Sequence, residues 1–140
     1  MLDLTKESDK HIDQRLRSDL IIWLTTVRPD GRPHTIPVWF SWDGETILIL
    51  SQPNTQKIRN LRSNPNVTLA LDGSDQGGDV IVLEGKAELL KEKTIELNPP
   101  GYFTKYSSSI QEMGETPENL AQSYSQPIRI TPTKFIAWHD

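Results

Sequence analysis

Two tight turns in the first third of the chain limit what it can fold into. Arg28-Pro29-Asp30-Gly31-Arg32 offers Pro, Asp and Gly in turn order, and Asp43-Gly44 follows a short distance on. Asp-Gly between apolar runs is a strong hairpin signal, because the favoured two-residue turns need positive φ and Gly adopts it without steric cost. The runs that these turns separate are Leu20–Val27, His34–Trp42 and Thr46–Leu50, all rich in β-branched and large apolar residues. Strands joined this closely must run antiparallel, since a parallel pair needs a crossover of a dozen or more residues. Further strands are read at Val67–Leu71, at Val80–Leu90 and near the C-terminus, where Ile128, Ile130, Phe135, Ile136 and Trp138 suggest a last strand broken at Pro132. Gly85 inside the fifth run marks a bulge or a barrel corner. The chain is therefore read as one domain, 1–140, mainly β, with six antiparallel strands closing a small barrel.

Helical segments lie around this frame. Ile12 and Leu16 are one turn apart in the polar stretch Leu4–Ser18, which fits a short amphipathic helix across the outside. Asn54 or Thr55 can cap a second helix carrying Ile58 and Leu61, ended by Asn64-Pro65. Lys91–Leu97, Pro99–Met113 and a stretch opening at Thr116-Pro117 also read as helical. The second helix is out of place in a meander, where a tight turn would suffice between neighbouring strands. An insertion at a barrel mouth is a common place for function.

Composition removes several function classes. With 15 Lys and Arg against 19 Asp and Glu, the net charge of −4 supplies no long-range field for gathering nucleic-acid phosphates. The absence of Cys excludes disulfides, thiolate metal sites and a cysteine nucleophile. His11, His34 and His139 have no metal-ligand spacing, Gly73–Gly78 lacks the spacing of nucleotide-binding glycine motifs, and no nucleophile elbow occurs. No metal site is expected. No apolar run reaches the roughly 18 residues of a membrane span, and the polar N-terminus has no secretory character. A cytoplasmic protein without membrane or nucleic-acid partners is the expectation, and Asn66-Val67-Thr68 is then a strand start rather than a glycosylation site.

The chemistry points to Ser51-Gln52-Pro53-Asn54-Thr55-Gln56-Lys57. A strand runs into hydroxyl and amide side chains and then into a helix N-terminus, whose free N–H groups and dipole favour an anion. Lys57 falls in the first turn, where a cation opposes that dipole unless an anion compensates it. Helical spacing sets Ile58 and Leu61 inward, Lys57 beside them and Arg59 outward. If Ile36, Val38 and Phe40 fill the core, His34, Pro37 and Trp39 offer a flat, partly apolar surface for a planar ring. Pro37 cannot donate to a ladder, which suits an edge.

Thr25–His34, Pro37-Val38-Trp39-Phe40, Ser51–Leu61 and Asn64-Pro65-Asn66-Val67 together resemble the pyridoxamine 5′-phosphate oxidase-like flavin/deazaflavin oxidoreductase superfamily, over roughly residues 18 to 90 plus a final strand at 127 to 138. The resemblance implies a split β-barrel working as a homodimer, with FMN or the deazaflavin coenzyme F-420 in each of two clefts between subunits. By position, Lys57 matches the lysine on the cofactor phosphate, and Ser51 and Thr55 match hydroxyls beside it. Gln56 stands where FMN-binding oxidases often have Arg, and His34 and Trp39 where the vitamin-processing oxidases have Arg and Lys. These replacements point away from pyridoxamine-phosphate oxidation itself. The Trp-Phe pair and the Ser-Gln-Pro-Asn-Thr loop look more like the deazaflavin-associated branch.

The implied set of cofactor-binding residues is His34, Pro37, Val38, Trp39, Ser51, Gln52, Thr55, Gln56 and Lys57. The implied activity is hydride transfer between a ring held against segment 36 to 39 and a small organic substrate. Such chemistry belongs to the cofactor, so no acid or base residue is nominated. The alternative is a module of the same fold that binds flavin or haem without turnover.

Overall fold

The computed structural model describes residues 1–73 and 75–139. Helix α1 (Glu7–Ser18) precedes β1 (Ile22–Val27) and β2 (Pro33–Val38), which pair as the hairpin expected around Gly31. A second hairpin joins β3 (Ser41–Trp42) to β4 (Ile47–Ser51) across Gly44. Both turn glycines have positive φ, 91° and 97°. Then follow α2 (Gln56–Ser63), β5 (Asn66–Leu71), β6 (Asp79–Leu89), the short helices α3 (Thr94–Leu97), α4 (Pro100–Lys105), α5 (Ser107–Glu112) and α6 (Pro117–Ser123), and β7 (Gln126–His139).

Among the described residues the strands form one antiparallel sheet of seven, in the order β2-β1-β5-β6-β7-β4-β3. The fold class is the one expected, with one strand more. The extra strand arises because the run His34–Trp42 is not continuous: it breaks at Trp39-Phe40, and its halves lie on opposite edges of the sheet. Three Cα–Cα steps of about 3.8 Å keep Val38 within about 11 Å of Ser41. The sheet must therefore curl until its edges nearly meet, which makes it a split barrel. Phe40 at the crossing is fully buried, as expected, whereas Ile36 and Val38 are only half-buried.

Sheet order also accounts for α2. Strands β4 and β5 are separated by β7 and β6, so a tight turn cannot join them. The helix makes the crossing and drives Ile58 and Leu61 into the barrel, where Asn60 donates from Nδ2 to the Thr26 hydroxyl at 2.9 Å. Strand β7 is continuous through Pro132. That residue faces Gly85 at the point where the β6–β7 register slips, so the ladder loses no regular bond to the proline. A Cβ at Gly85 would lie 2.7 Å from the Thr131 carbonyl oxygen, which explains the glycine.

Two apolar clusters result. Alternate residues such as Leu24, Ile49, Leu83 and Ile128 fill the curl, joined by Ile12 and Leu16 of α1. Helix α1 is thus a plug of the barrel as well as a cover, and its Asp13 accepts from Trp42 Nε1 at 2.9 Å. Strand β4 is buried on both faces: Leu48 and Leu50 turn outward to Tyr102, Tyr106, Ile110 and Leu120. The segment 91–125, whose short helices are more broken than periodicity suggests, is the layer that covers this second face.

Candidate functional site

A cavity of about 350 Å³ opens between the β2 edge and the α4–α6 layer. Ile36, Pro37, Val38 and Trp39 form one wall, Leu50 lies on another, and Lys57 lines it too. Pro37 sits on an edge strand, as its missing N–H requires. The layer 91–125 contributes Tyr102, Met113, Leu120 and Tyr124. Trp39 is held from behind: its ring stacks on Tyr106 with centroids 4.3 Å apart and planes 2° from parallel. One face of the indole is thereby committed to the protein.

Lys57 is the buried cation of this cavity, with about 9% of its surface exposed. Its Nζ donates to the Thr55 hydroxyl at 3.4 Å, and that hydroxyl lies 3.2 Å from the Ser51 hydroxyl. Thr55 is the N-cap residue of α2, yet its side chain caps no N–H. Its oxygen is turned to the serine and the lysine instead. No carboxylate among the described residues pairs with Lys57, and burial lowers its pKa below the ordinary lysine value.

His34 stands close enough to feel this charge. Burial pulls its pKa down first, and the positive charges of Arg28 and Lys57 add to the effect, so the imidazole is neutral at pH 7. Its Nδ1 is buried and has no hydrogen-bond partner among the described residues. A buried ammonium without a counter-ion and a buried ring nitrogen without a partner are both costly, and an anionic ligand with acceptor oxygens relieves the first while a ligand hydroxyl or water answers the second. The residues present thus fit a phosphate-bearing group.

The expected site residues fall into two sets. Pro37, Val38, Trp39 and Lys57 line the one cavity, and Ser51 and Thr55 join Lys57 through hydroxyl contacts. His34 is placed differently from the sequence reading: strand alternation puts it on the side of Ile36 and Val38, opposite Pro37, with Thr26 as its cross-strand neighbour. Gln56 is turned to α2, donating to Asn60 Oδ1 and accepting from Arg59, each at 2.8 Å. Gln52 is exposed, and only its carbonyl oxygen meets Ser51. Arg28 was hidden as a turn residue, although the pairing of Thr26 with His34 puts positions 26, 28 and 34 on one face. Tyr102, Met113, Leu120 and Tyr124 had no local signal, because their helices reach the cavity only through tertiary packing.

A curled antiparallel sheet whose edge strand and crossing segment wall such a cavity belongs to the split-barrel class that includes FMN- and F420-binding proteins. The sequence profile of the pyridoxamine 5′-phosphate oxidase family matches residues 8–139, and the chain belongs to that family. Among solved structures, an F420 reductase is similar at 26% identity and a TM-score of 0.68, over 89% of this chain and 94% of that one. A Listeria innocua protein provisionally assigned as a pyridoxamine 5′-phosphate oxidase aligns at 23% identity and a TM-score of 0.70, over 96% and 100%. The haem storage protein HutZ of Vibrio cholerae aligns at 17% identity and a TM-score of 0.66, over 91% and 92%. No curated protein matches the sequence. Among the described residues no helix is long and apolar enough to cross a membrane, and no group of side chains is arranged to hold a metal ion.

Proposed function

We propose that this chain is an oxidoreductase that holds a phosphate-bearing flavin-type cofactor, FMN or the deazaflavin F-420, with the ring along Ile36–Trp39 and the phosphate at Lys57, and that it works as a homodimer on a small organic substrate. The observation that carries the reading is the uncompensated charge of Lys57, buried beside the Ser51 and Thr55 hydroxyls. The cofactor, when bound, supplies hydride chemistry. The chain's own residues orient and hold it: Lys57 and the two hydroxyls fix an anion, the apolar segment 36–39 supports a ring, and Leu120 shields the cavity floor while Met113 and Tyr124 line its exposed rim. The F420 reductase favours the deazaflavin, being the relative above at which identity is highest.

Titration of the apo protein with FMN and with the deazaflavin, followed by absorbance and fluorescence, tests the reading. Binding of one of them at micromolar levels or tighter is expected, and Lys57→Ala should weaken it by about 1–3 kcal/mol, the worth of a charge-assisted contact in a sheltered site. If neither cofactor binds, the reading fails. If the Ala variant binds unchanged, the phosphate lies elsewhere.

The second reading is binding without turnover. It draws on the neutral His34 imidazole with its unpartnered Nδ1, a group suited to hold rather than to transform a ligand. A haem titration read at the Soret band separates the two: a His34-dependent complex, with no binding of flavin or deazaflavin, supports it.

A further inference from the structure

A second cleft, of about 430 Å³, lies on the far side of Tyr102, which lines both it and the cofactor cavity. Its walls come from β3, β4, the start of α4 and β7, and its polar groups include Arg17, Asp43, Lys105 and Arg129. The chain as a whole is acidic, yet three cations meet here. Arg17 is engaged with Asp13 at 2.9 Å. Arg129 and Lys105 have no carboxylate within ion-pair distance among the described residues; Asp43 feels Arg129, and Asp19 feels Lys105, only at longer range.

Lys105 is unusual in its setting. It is half-buried, its Nζ lies 3.8 Å from the centre of the Phe40 ring, and it donates to the Phe40 carbonyl at 2.9 Å. One amine hydrogen is therefore held by the protein, and the lysine side chain lines the cleft. We propose that this cleft binds a small anionic carbonyl compound, an aldehyde or oxo acid carrying a carboxylate or phosphate, and that Lys105 joins it as a reversible imine with Arg129 holding the anion.

The step balances without a redox partner. The amine nitrogen adds to the carbonyl carbon, and the carbonyl oxygen leaves as water with both amine hydrogens. The imine nitrogen then takes one proton from solvent, and the resulting N–H can donate to the Phe40 carbonyl as the amine does in the free protein. Burial supports the chemistry by lowering the Lys105 pKa to about 8, against an opposing effect of Asp19. At neutral pH that leaves roughly three-hundredfold more free amine than an ordinary lysine has.

The test uses 4-carboxybenzaldehyde with sodium cyanoborohydride at neutral pH, followed by peptide mapping. Modification of Lys105 about tenfold faster than any other lysine is expected, given its larger free-amine fraction. Lys105→Arg should abolish the dominant adduct. Arg129→Gln should slow labelling by the carboxylate probe but not by neutral benzaldehyde. Circular dichroism of each variant checks that it is folded. Adducts spread over the exposed lysines, or concentrated at Lys57, would overturn the proposal. So would an equal effect of Arg129→Gln on both probes, which would remove the anion from it.

Discussion

Lys57 shows how much one residue out of place can say. A lysine in the first turn of a helix opposes the dipole, and the sequence alone marks this as a cost that an anion would offset. The fold adds to the cost by burying the ammonium, with a threonine hydroxyl as its contact. Below its lowered pKa the group is charged in folded and unfolded chains alike, and the desolvation cost is fully present. Between that lowered value and 10.5 the unfolded chain binds the extra proton, so the apo protein gains stability as pH rises through this window. Lys57→Met removes the charge while keeping most of the stem, and should raise the apo stability at pH 7 by about 1 kcal/mol or more. Thermal melts of both proteins check this. The gap between them should narrow as pH approaches 10.5, and a lower Tm for the Met variant would mean that Lys57 is satisfied without a ligand. The hydroxyls of Ser51 and Thr55 were legible for the same local reason as Lys57. Arg28 and His34 were not, since the closeness of His34 to both Arg28 and Lys57 depends on which face of the hairpin turns toward α2.

At the scale of elements, alternation and turn residues were enough to find the strands, while the curl of the sheet had no local signature. It depends on Trp39-Phe40, two residues that look like strand and instead carry the chain between opposite edges. Tertiary contacts supply what the local pattern lacks. The Tyr106 hydroxyl accepts from Phe40 N–H at 2.8 Å and lies 2.7 Å from the Leu20 carbonyl oxygen and 3.0 Å from that of Phe40, so α5's preceding turn pins both ends of the first hairpin to the crossing. Burial raises the phenol to about 12, and it remains a donor throughout the physiological range. Tyr106→Phe keeps the ring that stacks on Trp39 but leaves the buried Phe40 N–H without its partner. A loss of about 1–3 kcal/mol is expected from urea denaturation, the cost of one orphaned buried donor. A neutral effect would mean that water reaches the crossing. The helices between 91 and 125 were legible as helices, yet their job as cover for Leu48 and Leu50 was not, because β4 reads as a buried strand whether one partner layer or two surround it.

At the scale of the molecule, the outer face of the sheet is where a second copy would sit. Cross-strand register aligns Pro37, Trp23, Ala70, Val82 and Ile136 in one row on that face. Trp23 is 39% exposed and Trp138, paired with Val80 one step along, is 52% exposed. A row of this width, apolar across five strands, is more than scattered surface residues amount to. Pro37 belongs both to the row and to the cavity that Lys57 lines, so a partner seated on the row would also close that cavity. The homodimer implied by the resemblance therefore has a specific test at its centre. Trp23→Lys should raise the dimer dissociation constant by about thirtyfold, as a central aromatic worth about 2 kcal/mol does. Sedimentation equilibrium measures this directly. Cofactor affinity should fall with dimerisation as protein is diluted, and in the Trp23 variant the fall should come at higher protein concentration. A variant that stays dimeric would place the interface on another face, and a variant that becomes monomeric with unchanged affinity would make each cavity complete within one chain.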